Sequence, residues 1–289
     1  MIAAELPNRR VEAWRYSDLR QAIGAEPHVL REGRDIIERL APGTQRMSIP
    51  AGESRVFVER MDDDRYLDAR SFDFTLGEGA SLTRIVIQSG GATPLAMARV
   101  RLSAGAKLKQ FVLAEGAKLS RIETDVSIEG EGADVELNGV YLCDAGRHAD
   151  LTSVIEHKVG GGQTRQLIKG VAKRGGRGVF QGKIVVAHGA QKTDARQYHH
   201  GMLLEDGAEI FAKPELLIHA DDVQCAHGNT AGGLDESALF YLRSRGVPEV
   251  QARGLLVEAF LAEAIPHGLP QEISDELLGR IRTWLGATA

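Results

Sequence analysis

The pattern of hydrophobic and polar residues has a helical period near both ends of the chain and a strand period in the middle, which divides the chain into three regions. In residues 1–45 the apolar side chains, Trp14 among them, recur near the spacing of a helix. In residues 46–232 short runs alternate apolar and polar side chains, as around Phe57, and this alternation is typical of strands. In residues 233–289 the helical spacing returns. The pattern therefore predicts a mainly β core between an N-terminal and a C-terminal helical region.

The C-terminal region carries the clearest helix signals. Asp235 and Glu236 would lie in the first turn of one helix and Arg243 near its end, as the helix dipole favours. Pro248 would be the first residue of the next helix, because proline suits a first helical turn, and a last helix would follow Pro270. We expect the amphipathic pair of helices in residues 234–264 to cap one open end of the β core.

A short phrase recurs in the middle region and predicts tight turns. It consists of an apolar residue, two variable residues, Gly-Ala, one variable residue and a second apolar residue. Glycine can supply the positive φ of such a turn. The pattern alone favours a β-solenoid, because the turns repeat, but their irregular spacing leaves a hairpin sandwich open. The copies are LGEGASL (76–82), LSAGAKL (102–108), LAEGAKL (113–119), LEDGAEI (204–210) and the looser EGEGADV (129–135).

Composition narrows the class of protein. Hydrophobic content of 43% and charged content of 26% are ordinary for a soluble globular chain. The net charge of −5 gives no electrostatic reason to expect nucleic acid or an anionic membrane as a partner. Cys143 and Cys225 do not make a disulfide framework, and the N-terminus has no apolar signal core. We expect a cytoplasmic protein.

Cys225 and His227 form the strongest candidate site. Both residue types are ligands of soft metals, and residues two apart on a strand share a face. Two ligands cannot complete a zinc site or hold an iron–sulfur cluster, which usually takes four, so further ligands would have to come from another chain. Taken alone, such a pair is more often structural, since buried cysteine packs and histidine hydrogen-bonds.

Other candidates are weaker. Adjacent residues on a strand point to opposite faces, so His199 and His200 would not form one metal site. The same argument separates Asp221 from Asp222, and Cys143 lies in an apolar run that predicts a small buried side chain.

Several separated segments resemble the SufB/SufD family of iron–sulfur cluster assembly proteins, and its SufD branch in particular. The signature is ADDVQCAHG (220–228) followed by LDESALFYLRSRG (234–246). It is accompanied by LPNRRVEAWRYSDLR (6–20), RGVFQGKIVV (177–186) and AQKTDA (190–195). The joint occurrence of these motifs makes the resemblance specific.

The resemblance implies a right-handed parallel β-helix core at residues 46–232. It further implies a non-catalytic scaffold subunit that pairs with a SufB-like scaffold through the β-helix cores and docks a SufC-like ATPase. The complex would build a transient iron–sulfur cluster, shared with the partner chain, for delivery to apo iron–sulfur proteins. The resemblance leaves open a flavin in the complex and a homodimer of the isolated chain.

The resemblance also assigns roles to individual residues. His227 matches a histidine near the interface that takes part in cluster formation, so we expect it to be the metal ligand. Cys225 matches the motif's cysteine, for which we expect a supporting role. Gly228 would leave room for the partner chain to approach. We expect the ATPase to contact the C-terminal helices at Leu239, Arg243, Arg245 and Glu258.

Two alternatives remain at this point. One is a carbohydrate-active enzyme on a β-solenoid, which would need carboxylates converging in a groove, and the sequence offers no such spaced set. The other is a purely structural scaffold in which Cys225 and His227 are inert.

Overall fold

The computed structural model describes residues 6–24, 30–62 and 66–286, so parts of the predicted terminal regions (1–5, 25–29 and 287–289) lie outside the described residues. The described chain forms two seven-stranded sheets, in which each strand pairs with the strand two places further along the chain. The odd-numbered strands form sheet A: β1 (Thr44–Ile49), β3 (Asp68–Leu76), β5 (Pro94–Leu102), β7 (Ser120–Ile128), β9 (His148–His157), β11 (Arg177–Val186) and β13 (Glu209–Ile218). The even-numbered strands form sheet B: β2 (Ser54–Met61), β4 (Ser81–Gln88), β6 (Lys107–Ala114), β8 (Asp134–Cys143), β10 (Gln163–Ala172), β12 (Asp194–Leu203) and β14 (Gln224–Gly232).

All the strand ladders are parallel, and this decides between the two predicted architectures. A hairpin sandwich would require antiparallel neighbours. The chain instead coils as a β-solenoid, with one strand in each sheet per turn. The prediction of a parallel β-solenoid with helices at both ends is confirmed.

Alternate side chains of each strand point into the space between the sheets, which we call the lumen. Because neighbouring strands are in register, each lumen side chain lies beside its equivalent one turn away. Leu82, Leu108 and Val135 form one such row, and all three are buried. Burying apolar side chains in this way supplies most of the stabilisation of the core.

The Gly-Ala phrases form corners of the solenoid. Gly79, Gly105 and Gly132 adopt φ values of 63°, 62° and 70°, in the region that glycine tolerates best. The alanine that follows each of the three is buried. The corners also stack, since the Gly79 amide donates to the carbonyl of Ala104 on the next turn.

The N-terminal segment packs on the outer face of sheet A. It contains a 3-10 turn (Glu12–Trp14) and two short helices, α1 (Leu19–Ile23) and α2 (Ile36–Leu40). Trp14 and Leu19 contribute to an apolar cluster with Met97 of β5. The Arg121 guanidinium lies 4.1 Å from the centre of the Trp14 ring, which joins the segment to the sheet.

The C-terminal helices are α3 (Glu236–Ser244), α4 (Glu249–Ala262) and α5 (Gln271–Leu285). Val257 of α4 and Leu277 of α5 pack against the outward-facing side chains Phe111 and Val140 of sheet B. Helices α4 and α5 therefore cover a face of sheet B, and the expectation that α4 caps an open end is wrong. None of the described helices is both long and apolar enough to cross a membrane.

Candidate functional site at the open end of the solenoid

The solenoid ends at a turn formed by β13 and β14 that we call the open end. In the described chain, β13 is hydrogen-bonded to β11 and β14 to β12, and neither strand has a partner at its other edge. Lumen side chains that are buried one turn earlier have half-buried or exposed counterparts here. Buried Gln197, for example, is followed in register by exposed His227. The open end thus exposes a cross-section of the lumen.

Cys225 and His227 both face the lumen at the open end. The parallel register places Cys225 beside Ala195 and His227 beside Gln197, so the two side chains share a face, as their spacing predicts. Cys225 is half-buried against the aliphatic side chains of the lumen. Burial raises the pKa of its thiol, which disfavours the thiolate that binds metals best. His227 is the more accessible of the two candidate ligands.

Gly228 also has a packing role within the chain that the sequence analysis did not identify. It lies on the outward face of β14, opposite His227, in register with Tyr198. A Cβ atom at this position would lie 2.9 Å from Cδ1 of the Tyr198 ring. The absence of a side chain at Gly228 therefore accommodates the Tyr198 ring of the same chain.

A row of buried polar side chains continues into the lumen behind His227. Gln197 Nε2 donates to Gln166 Oε1 at 2.9 Å, and Gln166 Nε2 donates to Ser153 Oγ at 2.9 Å. Deeper in the lumen, Arg84 pairs with Glu59 at 2.6 Å, and both side chains are buried. Buried polar groups of this kind are costly unless paired, so each of these hydrogen bonds and ion pairs helps to hold neighbouring turns together.

His199 is a second lumen histidine close to the open end. Its ring lies between those of Tyr141 and Phe180, with centroid separations of 5.9 and 5.3 Å. Its Nε2 lies 2.9 Å from Tyr141 Oη, and its Nδ1 lies 2.7 Å from Asn229 Oδ1 on β14. Burial lowers the pKa of His199 to about 4, so the ring is neutral at physiological pH.

His200 lies on the other face of the strand, as predicted for the pair of adjacent histidines. It faces outward and its Nδ1 lies 2.7 Å from Thr230 Oγ1. Cys143 is buried, and burial raises the pKa of its thiol to about 12, which fits the predicted packing role.

The described part of the chain contains no group of three or more His, Cys, Asp or Glu side chains that could hold a metal ion. The open end presents two candidate ligands, Cys225 and His227, on one lumen face. A metal or cluster bound there would need additional ligands to fill its coordination sphere.

The C-terminal helices present a second candidate surface. Phe240 and Tyr241 of α3 are 75% and 57% exposed, and Val250 of α4 is also exposed. The guanidinium of Arg245 lies 5.3 Å from the centre of the Tyr241 ring. We refer to the exposed residues Phe240, Tyr241, Arg245 and Val250 together as the helical patch.

The four residues expected to contact the ATPase differ in how accessible they are to a partner. Leu239 is 2% exposed and packs within the chain, so it is not accessible to a partner in this structure. Glu258 is engaged by Arg282 of α5 at 2.7 Å, and Arg243 lies 3.4 Å from Glu249. Arg243 and Arg245 are both exposed, and Arg245 lies beside Tyr241, which the sequence analysis did not select.

Comparison with known proteins shows which family the chain resembles. Residues 46–260 match the family model described as SUF system FeS cluster assembly, SufBD core domain. The chain is 35% identical over 166 residues to the iron–sulfur cluster assembly protein SufD of Escherichia coli, covering 57% of this chain and 39% of SufD. It is 33% identical over 228 residues to a SufBD family protein of Synechocystis, covering 78% of this chain and 49% of that protein. It is 28% identical over 247 residues to a SufBD family protein of Mycobacterium tuberculosis, covering 82% and 62% respectively.

Fold and site together define a β-solenoid protein whose open end carries a cysteine and a histidine in the lumen. The chain belongs to the SufB/SufD family of iron–sulfur cluster assembly proteins. It spans between 39% and 62% of the length of the three relatives named above. The family match favours iron–sulfur cluster assembly over a carbohydrate-active enzyme.

Proposed function

We propose that this chain is a non-catalytic scaffold subunit that pairs with a SufB-like chain at its open end. The pair would assemble a transient iron–sulfur cluster, with His227 as a metal ligand, for delivery to apo iron–sulfur proteins. The observation that carries the proposal is the exposure of His227 and Cys225 on one lumen face where the solenoid ends.

The free edges of β13 and β14 support pairing at the open end. Each edge presents a row of backbone N–H and C=O groups, and such edges readily accept a further strand. Leu217 and Ile218 at the end of β13 are 42% and 41% exposed, which adds apolar area for a partner to cover. A second solenoid docked here would continue both sheets and enclose the lumen residues of the last turn.

His227 is better suited than Cys225 to act directly on iron. A neutral imidazole can ligate iron, or accept and release protons while iron and sulfide assemble. The Cys225 thiol has its pKa raised by burial and packs on the aliphatic part of the lumen. We therefore assign it the supporting role.

The helical patch is the proposed docking surface for a SufC-like ATPase. Exposed aromatic side chains next to an arginine are common at the centres of protein interfaces. The patch lies on α3 and α4, whereas the packing contacts of α4 with sheet B use Val257 and Leu261. A partner could therefore bind the patch without displacing α4 from the solenoid.

The test is anaerobic reconstitution of the complex with iron and sulfide, using wild-type chain, His227→Ala, Cys225→Ser and the matched control His200→Ala. We expect His227→Ala to lower cluster yield strongly, Cys225→Ser to lower it less, and His200→Ala to match wild type, since His200 faces outward. The isolated chain should retain no stable cluster, because its open end offers two ligands.

Equal cluster yields from the wild-type and His227→Ala complexes would overturn the assigned role of His227 and favour a purely structural chain. A stoichiometric, stable cluster on the isolated chain would contradict the shared site.

A further inference from the structure

Asn229 is the third lumen-facing residue of β14, after Cys225 and His227. It lies in register with His199 of the preceding turn, and it is exposed at the open end. Its Oδ1 atom lies 2.7 Å from His199 Nδ1, while His199 Nε2 lies 2.9 Å from Tyr141 Oη. Tyr141 and His199 are buried. A hydrogen-bonded chain thus runs from the interior of the lumen to its open end.

The donor in each of these two hydrogen bonds can be identified by asking which arrangement gives every buried donor an acceptor. If Nδ1–H of His199 donates to Asn229 Oδ1, then Nε2 accepts the hydroxyl proton of Tyr141, and both buried partners are satisfied. In the opposite arrangement Nε2–H would donate to Tyr141 Oη. The Tyr141 hydroxyl would then need another acceptor, and the hydrogen bonds of the described residues give it none besides His199. An unsatisfied buried donor is costly, so the first arrangement is favoured.

This arrangement fixes which way the Asn229 carboxamide faces. Its oxygen is used inside the lumen by His199, so its Nδ2–H groups are left for the exposed side. The His199 ring cannot readily rotate to suit a flipped Asn229 carboxamide, because it is stacked between Tyr141 and Phe180 at interplanar angles of 15° and 8°. The Tyr141 ring in turn fills the space above Gly170, where a Cβ atom would lie 1.8 Å from Tyr141 Cζ. The orientation of Asn229 is therefore set by buried packing.

We propose that Tyr141 and His199 orient Asn229 so that its Nδ2–H groups donate to anionic sulfur held beside His227, either a cluster sulfide or a partner thiolate. This inference rests on the function proposed above and adds a donor residue to the same site. Hydrogen bonds to cluster sulfurs stabilise their negative charge and tune the cluster. Tyr141 and His199 act through Asn229 and are positioning residues.

The first test examines the hydrogen-bonded chain without any cluster. Long-range proton–nitrogen correlation NMR on the isolated, isotope-labelled chain reports which ring nitrogen of His199 carries the proton. We expect Nδ1–H in the wild type, and a mixture of tautomers in Tyr141→Phe, which no longer supplies a proton to Nε2. A wild-type His199 protonated at Nε2 would overturn the inference and leave the proposed function untouched.

The second test measures cluster retention in the reconstituted complex. After addition of an iron chelator, we expect Asn229→Leu to lose its cluster about tenfold faster than wild type, since hydrogen bonds to charged acceptors are among the stronger ones. The matched control is Thr230→Val, the neighbouring residue on the outward face of β14, which should retain the cluster like wild type. The resonance Raman bands of the iron–sulfur stretches should shift in Asn229→Leu and not in the control.

The outcomes separate the two claims. If His227→Ala impairs assembly while Asn229→Leu retains its cluster with unshifted Raman bands, the inference about Asn229 fails and the proposed function stands. If His227→Ala has no effect either, both fail.

Discussion

Replacing Gly170 by alanine should destabilise the solenoid, because the added methyl group would collide with the Tyr141 ring, which contacts His199 near the open end. The added Cβ would lie 1.8 Å from Cζ and 2.0 Å from Cε2 of Tyr141, which is buried, so the ring has to move. Overpacking of this kind costs about 1–3 kcal/mol. Displacing the ring also breaks the 2.9 Å contact with His199, which adds about 1 kcal/mol. We therefore expect a loss of about 2–4 kcal/mol.

Thermal unfolding followed by circular dichroism measures this loss. For a chain of this size the expected decrease in Tm is on the order of 4–16 °C. Gly189→Ala is the matched control, because a Cβ at Gly189 meets no atom within 4 Å and its φ lies outside the positive range. In a Tyr141→Leu background the same Gly170→Ala change should cost less than about 1 kcal/mol, since the clash is gone. If Gly170→Ala unfolds at the wild-type temperature, or costs as much without the tyrosine ring, the packing argument is refuted.

Two further predictions concern pH and docking. His157 is buried and its pKa is lowered to about 4 by burial. Because this pKa lies below the ordinary value of 6.5, the unfolded chain binds the proton more tightly, and stability present above pH 6.5 is lost as the pH falls toward 4. His148 and His199 shift in the same direction, whereas Asp125, whose pKa burial raises to about 6, opposes them. His157→Gln should therefore lose less stability than wild type between pH 7 and pH 5 in urea unfolding, by about 1–2 kcal/mol; an unchanged pH dependence would contradict the assignment. At the helical patch, Phe240→Ala and Arg245→Glu should each weaken binding of a SufC-like ATPase about tenfold in calorimetry, with unchanged unfolding because both side chains are exposed. The exposed Glu272→Lys on α5 is the charge-reversal control, and full affinity in both patch variants would place docking elsewhere.

Much of the fold follows from local sequence signals. The Gly-Ala phrases mark corners because glycine alone adopts their positive φ without strain, as at Gly79 and Gly105. Asp235 lies at the start of α3, close to where the sequence placed it, and as the N-cap it accepts hydrogen bonds from two backbone amides. These features depend on residues that are close in sequence, so they can be predicted without knowledge of the long-range packing.

The placement of α4 depends on long-range packing, and the expectation that it caps an open end is wrong. The sequence holds a signal that could have corrected this. The apolar run at Val140–Cys143 continues through both faces of β8, and a strand that is apolar on both faces must be covered on both. Helices α4 and α5 supply the outer cover, which leaves the open end uncapped by them.

Local reasoning also limited what the sequence showed of the site. The spacing of Cys225 and His227 revealed their common face, but His199 was treated only as a neighbour of His200. Its partners Tyr141 and Asn229 lie 58 and 30 residues away, so only the register of the turns brings them together. At α3, adjacent residues point in very different directions around the helix, and the sequence did not settle that Leu239 faces inward and Phe240 outward.

Hydrogen exchange of the β14 amides tests most directly the claim that the open end is the pairing surface. Amides of Gln224–Gly232 that point to the unpaired edge should exchange rapidly in the isolated chain, because β14 lacks a strand neighbour there. Addition of a SufB-like partner should slow their exchange strongly and leave the corner at Gly79 unchanged. Protection elsewhere on the solenoid, with β14 exchanging as in the isolated chain, would contradict the account.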